Sequence, residues 1–167
     1  TGGFKSHLKM IPKERIIPGL DEIRNRNPKK AAVLALFYPD KHNETLFLLI
    51  LRADYDGTHS SQIGFPGGKV EEYDADLKET ALRETHEEVG IHPNKVQIIK
   101  TFSEIYIPPS NFLVSPFMGI SHEELIFIPD LEEVKRVLEF PVSDFLDDKS
   151  ITKTRMSTSY AVDIEVP

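Results

Sequence analysis

The chain has 167 residues, 40% of them hydrophobic and 28% charged, enough for one domain with a sizeable core. A net charge of −7 argues against general nucleic-acid binding, and the absence of cysteine excludes a disulfide framework, a thiolate metal site and a cysteine nucleophile. No apolar run approaches the roughly 18 residues of a membrane span and the first residues lack a signal peptide's apolar segment; with no cysteine, a reducing, cytoplasmic setting is expected, without membrane or nucleic-acid partners.

Residues 1–30 form a basic prologue, in which Lys5, Lys9, Lys13, Arg15, Arg24, Arg26, Lys29 and Lys30 outnumber the acids. A short helix is expected over 18–26. The segment reads either as a flap carrying positive charge to an anionic substrate or as a solvated arm packed by Ile16, Ile17 and Leu20. We therefore separate an N-terminal arm, 1–30, from a domain, 31–167. Residues 31–38, AAVLALFY, read as a buried strand ended by Pro39, and the polar turn 40–44 leads to a second strand over 45–52. The pair suggests a hairpin. Strands this apolar imply a sheet covered on both faces. The polar loop 53–64 is too long for a tight turn; within it His59 is a candidate for proton transfer or phosphate contact, although a lone loop histidine is more often a surface residue.

The stretch 65–91 joins a glycine turn to an acidic helix expected over about 76–89. Asp74 or Asp76 can cap its start, and Gly90 stands where a helix stops. Glu84, Glu87 and Glu88, at i, i+3 and i+4, share one face. Leu82, Thr85 and Val89 are the expected core face, with Leu77 and Ala81 extending the acidic side. Glutamate-rich faces are usually just solvated, but clustered carboxylates suit Mg²⁺ or Mn²⁺. Gly67 and Gly68 let the backbone approach a ligand, so the Gly68 carbonyl is a candidate metal ligand beside the three glutamates. Lys69, next to the glycines, is a candidate phosphate contact. Arg83 can pair with Asp74, or with Glu79 or Glu87 one turn away, as structural support for the helix.

Beyond the helix a strand is expected over 95–106, a loop over 107–111 and another strand over 112–120. Pro108 and Pro109 either shape a wall of a substrate pocket or make a simple turn. A loop around 122–124 follows. Residues 134–140 are irregularly apolar, Pro141 stops them, and 142–146 can make one helical turn. The tail from 151 reads as two short strands meeting at a polar turn near Ser157, Thr158 and Ser159.

Gly68, Arg83-Glu84, Glu87-Glu88, Gly90 and Ile91 resemble the Nudix box, the signature of hydrolases acting on nucleoside diphosphates linked to another moiety. The glycine-to-arginine separation of fifteen residues is one longer than in the general pattern. The midway acid is Asp74, and Thr85 occupies a usually aliphatic position. The longer spacing is typical of the subgroup that resembles coenzyme A pyrophosphatases. Leu48-Leu49-Ile50-Leu51-Arg52-Ala53, followed by Phe65-Pro66-Gly67-Gly68, resembles that subgroup's upstream motif. Gly57 stands in place of a second arginine and Ser61 in place of a glycine, which weakens the substrate assignment because arginine is the usual partner of phosphate.

The resemblance implies an α/β/α sandwich with a mixed β-sheet and metal-assisted water attack on a P–O–P linkage. Mg²⁺ or Mn²⁺ would be held by Glu84, Glu87, Glu88 and the Gly68 carbonyl. It also adds Arg52 as a substrate contact and places Glu133 where some members carry a further metal-linked or basic glutamate. Glu84 and Glu133 are both candidates for the base. The expected partner is a small-molecule nucleotide, most specifically coenzyme A or acyl-CoA, with ADP-ribose, dinucleotides or NTPs as the alternative. A non-catalytic nucleotide-binding module is the alternative of another class, and a homodimer is compatible with any of these. Family members commonly end in a further helix, so a continuation beyond Pro167 is expected.

Overall fold

A computed structural model describes residues 20–53, 62–147, 154–156 and 164–166. The chain divides into two compact units, one of residues 28–142 and one of residues 1–27 with 143–167. The smaller unit holds a helix, α1 (Leu20–Asn25), where the prologue helix is expected. Near its end two strands, Thr154–Met156 and Ile164–Val166, pair antiparallel. This matches the reading of the tail as two strands; the residues of its expected turn lie outside the described residues.

The larger unit is built on a mixed sheet. β1 (Lys29–Pro39) and β2 (Thr45–Arg52) fall where the apolar runs put them. They meet as an antiparallel hairpin only near the turn, at Phe37↔Phe47 to Pro39↔Thr45. Beyond it β2 pairs with two other segments. β3 (Ile63–Gly64) meets Ile50 and Leu51, and β8 (Val134–Pro141) runs antiparallel along residues 46–52. The space beside the first half of β1 is taken by β4 (Gly67–Lys69), paired with Ala31, Ala32 and Val33. The expected glycine turn is therefore corrected to a short strand. Gly67 has φ of 145°, and a Cβ there would overlap the Ala32 carbonyl and Val33. Only glycine admits that backbone at that separation.

On its other edge β1 pairs in parallel with β7 (Phe112–Ile120), through Lys29↔Phe112 to Phe37↔Ile120. The single strand expected over 95–106 is corrected to three pieces: a 3₁₀ turn (Pro93–Lys95), β5 (Gln97–Thr101) and β6 (Ile105–Ile107). β5 and β6 both pair with β7, but β5 is interrupted by a bulge near Ile98. Apolar content carried no trace of that break.

Burial alternates along the central strands. Ala32, Leu34, Leu36 and Tyr38 of β1 and Leu48 and Ile50 of β2 are buried, with the alternate positions half-covered. They form one core with Ala81, Val89, Ile91, Phe117, Leu125 and Val134. α2 (Leu77–Val89) packs on β1 and β4 and supplies Ala81 and Val89 to that core. Both helix ends follow the sequence signals. Asp76 caps the start by accepting from the Glu79 N–H, and Gly90 adopts the left-handed conformation after Val89, with φ of 77°. A short helix, α3 (Val142–Leu146), begins directly after β8, at the single turn expected after Pro141. Among the described residues no helix is long and apolar enough to cross a membrane.

Candidate active site

The buried side of α2 differs from the expected one. Thr80, Ala81, Thr85, Glu88 and Val89 are buried and Leu82 is only half-covered, so the core face turns toward Glu88 and includes Ala81. The face that packs on β1 and β4 therefore carries a carboxylate inward. Thr85 tolerates burial because its hydroxyl donates to the Ala81 carbonyl at 2.7 Å.

The Glu88 side chain is 1% exposed. One carboxylate oxygen accepts from Arg52 Nη1 at 2.8 Å and the other from the Gly67 N–H at 2.8 Å. Arg52 Nη2 donates to the Gly67 carbonyl at 2.7 Å. Arg52, a candidate substrate contact, is thus bonded into the site and also lines the neighbouring cleft. Burial raises the Glu88 pKa to about 7, against the lowering effect of Arg52 and the Gly67 N–H, with the Glu84 charge adding to the rise. The Glu84 pKa is also raised, first by burial; Arg83 opposes this, and Glu87 and Glu133 add to it.

Glu84 lies against Gly68 so closely that a Cβ on the glycine would overlap its carboxylate. Arg83 organises the surrounding acids. It holds Asp74 through two bonds, Nε to Oδ1 at 2.8 Å and Nη2 to Oδ2 at 2.9 Å. It also donates to Glu84 at 2.9 Å, Glu87 at 2.7 Å and the Lys69 carbonyl at 3.0 Å. Asp74 further accepts from the Glu71 N–H and the Thr80 hydroxyl. The Arg83 hydrogen bonds are the largest reason its pKa falls well below the carboxylate range. Of the pairings open to Arg83, those with Asp74 and Glu87 form, while Glu79 turns back to accept from the Ala75 N–H.

Glu133 reaches this group through the backbone. The Ile128 and Asp130 N–H groups donate to the Val89 and Glu88 carbonyls, tying the approach to β8 to the end of α2. The Glu133 N–H then donates to the Asp130 carbonyl, and its own carbonyl accepts from the Ala53 N–H. Its charge is felt at Glu84. The Lys69 side chain is exposed at the mouth of the cleft. His59, with Gly57 and Ser61, lies outside the described residues.

β4 borders both the α2 carboxylates and a cleft of about 330 Å³. Arg52, Gly67, Gly68 and Lys69 edge it, and its walls come from β1, β3, the Pro108–Asn111 turn and β7. Of these wall segments, sequence reading pointed only to the double-proline turn. Phe112, Val114 and Ile107 were unremarkable strand residues whose shared wall exists only once β6 and β7 pair.

Among the described residues no three His, Asp or Glu side chains already stand as a metal-ligating group. The repulsion among the glutamates is relieved by Arg52 and Arg83. The donor chemistry nonetheless fits a hard divalent cation, since the Glu84 and Glu88 carboxylate oxygens stand beside the Gly67–Gly68 backbone.

Residues 28–158 match the family model described as the NUDIX domain. The chain is similar to Nudix hydrolase 22, chloroplastic, of Arabidopsis thaliana, with 36% identity over 125 residues, covering 74% of this chain and 41% of that protein. It is 34% identical over 139 residues to Nudix hydrolase 15, mitochondrial, of the same plant, covering 82% of this chain and 48% of the relative. Similarity to the peroxisomal coenzyme A diphosphatase NUDT7 of Mus musculus is 35% over 102 residues, covering 60% and 43% of the two chains. The chain thus spans less than half the length of these three relatives. Among solved structures, the M. smegmatis Nudix hydrolase RenU superposes with a TM-score of 0.58 at 18% identity, over 70% of this chain and 73% of that one. The fold is the expected Nudix-like α/β sandwich on a mixed sheet. A box running from Gly68 to Ile91, seated on that fold and matched by the family model over most of the chain, identifies it: the chain belongs to the Nudix hydrolase family.

Proposed function

We propose that this domain hydrolyses a diphosphate linkage in a nucleoside diphosphate derivative, with coenzyme A or an acyl-CoA as the leading substrate. The products would be a 4′-phosphopantetheine species and adenosine 3′,5′-bisphosphate. The carrying observation is the junction at β4, where Glu84 and Glu88 meet the Gly67–Gly68 backbone beside an open cleft. Family membership supports the reaction class. The coenzyme A reading is supported by the fifteen-residue box spacing, the upstream Leu48–Ala53 segment and similarity to a protein named as a coenzyme A diphosphatase.

Glu84, Glu87, Glu88 and the Gly68 carbonyl would hold Mg²⁺ or Mn²⁺. A bound cation supplies charge neutralisation on the diphosphate and water activation. The chain's own part is positioning. Arg83 fixes Glu84 and Glu87 relative to each other and to Asp74. Arg52 orients Glu88, and Lys69 at the cleft mouth would meet phosphate oxygens. Glu133, whose backbone carbonyl is held by the Ala53 N–H at the edge of the site, would take the water proton more readily than a carboxylate committed to a cation; Glu84 is the alternative base. The expected compartment is the cytoplasm, on the cysteine-free composition.

The test is a product-resolved screen of coenzyme A, dephospho-CoA, acyl-CoA, ADP-ribose, NADH, diadenosine polyphosphates and NTPs with Mg²⁺ or Mn²⁺. Coenzyme A turning over faster than dephospho-CoA is expected. Equal rates for those two would undercut the coenzyme A assignment and favour ADP-ribose or a dinucleotide. Nucleotide binding without product release under either metal would instead favour a non-catalytic module.

A further inference from the structure

Lys29 and Lys69 stand on the cleft face of the sheet. Side chains alternate along β1, so Lys29 shares a face with Ala31 and Val33, both of which line the cleft. The register partner of Lys29 on β7 is Phe112, and that of Ala31 on β4 is Lys69; each partner also lines the cleft. Lys29 and Lys69 are therefore diagonal neighbours, roughly 7–8 Å apart at the backbone, a gap that two lysine side chains can close on one group. The Lys29 ammonium lies 5.9 Å from the centre of the Phe112 ring, which holds it over the cleft wall. Its backbone is fixed as well, the Lys29 N–H donating to the Asn111 carbonyl at 2.9 Å. Charge balance sets these two lysines apart. Arg52, which also lines the cleft, is paired with Glu88, and Arg83 with Asp74, Glu84 and Glu87. Among the described residues neither Lys29 nor Lys69 has a carboxylate within ion-pair distance. In a chain of net charge −7, two cations left without acids on one face of a cleft mark a place for an anion.

We infer that Lys29 is a specificity-determining residue, forming with Lys69 a subsite for a phosphate monoester that the substrate carries apart from its diphosphate linkage. The inference rests on the reading of this cleft as the substrate site. The carboxylates of the hydrolytic junction meet β4 at Gly67 and Gly68. Gly68 pairs with Ala32, and Lys29 stands three residues farther along β1, about 10 Å at the rise of a strand. Phe112 holds the ammonium at that level, so its charge serves a part of the substrate other than the linkage at the glycines. A phosphate monoester carries close to two charges near neutral pH and suits two ammonium groups, whereas a neutral sugar offers them no charge to meet. Coenzyme A has such a group in its adenosine 3′-phosphate; dephospho-CoA and ADP-ribose lack it.

Calorimetry with adenosine 3′,5′-bisphosphate and adenosine 5′-monophosphate, which differ by that one group, tests this on the wild type, Lys29→Met and Lys29→Arg. Steady-state kinetics on coenzyme A and dephospho-CoA with Mn²⁺, and thermal denaturation, accompany it. Methionine keeps an apolar stem over Phe112 and removes the charge. The wild type should bind the bisphosphate more tightly than the monophosphate. Lys29→Met should raise Kd for the bisphosphate and KM for coenzyme A roughly three- to ten-fold, and should move the monophosphate and dephospho-CoA by less than about two-fold. Its kcat and Tm should stay near the wild type, and Lys29→Arg should keep most of the affinity. An unchanged Kd for the bisphosphate in Lys29→Met overturns the inference while leaving the proposed function standing. Equal weakening of both nucleotides also overturns it, because the charge would then act on the 5′-phosphate they share. A wild type that binds the two nucleotides alike, or binds neither, does the same, and a fall in Tm with the Kd ratio unchanged would mark Lys29 as structural. A bisphosphate preference that Lys29→Met abolishes, without hydrolysis of either coenzyme, would sustain the subsite and remove the proposed function.

Discussion

Glu87 and Glu88 stand side by side in sequence but in different surroundings. The Glu87 side chain is 50% exposed and bonded to Arg83, whereas Glu88 is enclosed between two donors. Under the proposed metal role, Glu87→Gln and Glu88→Gln should each cut turnover by orders of magnitude. Their stabilities should separate. Glu87→Gln is expected to melt near the wild type, while Glu88→Gln turns an amide N–H₂ toward Arg52 or the Gly67 N–H and should lose about 1–3 kcal/mol. Calorimetry with kinetics on both variants checks this; near-normal activity in both would remove the metal-helix proposal. Arg83→Ala is the complementary case. It strands Asp74, whose side chain is 1% exposed, so about 2–4 kcal/mol of stability should disappear along with activity. Unchanged thermal stability would argue against the supporting role. Because the Asp74 pKa is lowered in the folded state, its contribution is present above the ordinary aspartate value and lost as pH falls below it. The wild type should therefore lose its advantage over Arg83→Ala only in acid.

The glycine strand and α2 act as one element pair, and the two glycines in β4 fail differently when substituted. At Gly67 a side chain meets the Ala32 backbone at a φ that L residues rarely adopt. Gly67→Ala should therefore destabilise the domain by several kcal/mol, on the order of other strained or overpacked substitutions. At Gly68 the obstacle is the carboxylate of Glu84, a side chain that can swing aside. Gly68→Ala should fold with a modest loss of Tm, yet lose about ten-fold or more in activity because Glu84 is displaced. Denaturation midpoints and kcat for the two variants read the difference, and equal stability losses would contradict this division of labour.

At the scale of the molecule, the enclosed carboxylate makes stability depend on pH and cation together. The folded-state pKa of Glu88 is raised to about 7, so its contribution favours folding below the ordinary glutamate value and fades as pH rises through about 7. This window lies above that of Asp74. In metal-free buffer Tm should fall between pH 5 and pH 8. Saturating Mg²⁺ or Mn²⁺ should raise Tm more at pH 8 than at pH 5, since a cation binds the deprotonated carboxylates. A metal-induced shift of equal size at both pH values, or none, would count against a cation site at these glutamates.

What the sequence by itself determined was local. The limits of β1, β2, β7 and α2, the caps at Asp76 and Gly90 and the candidate acids all follow from apolar runs, helical spacing and capping chemistry, which act over a few neighbouring residues. The Arg83–Asp74 pairing was legible for the same reason, being nine residues apart on either side of one helix start. Tertiary structure alone decided the rest. Partners 36 residues apart, Arg52 and Glu88, met only when β2 left β1 and β4 filled the gap. The burial of Glu88 depended on which face of α2 packs on β1 and β4, and the split of β5 from β6 on pairing with β7. Periodicity assigns a residue to a face of its own element; which face meets the core is set by long-range packing, whose energy no local window contains.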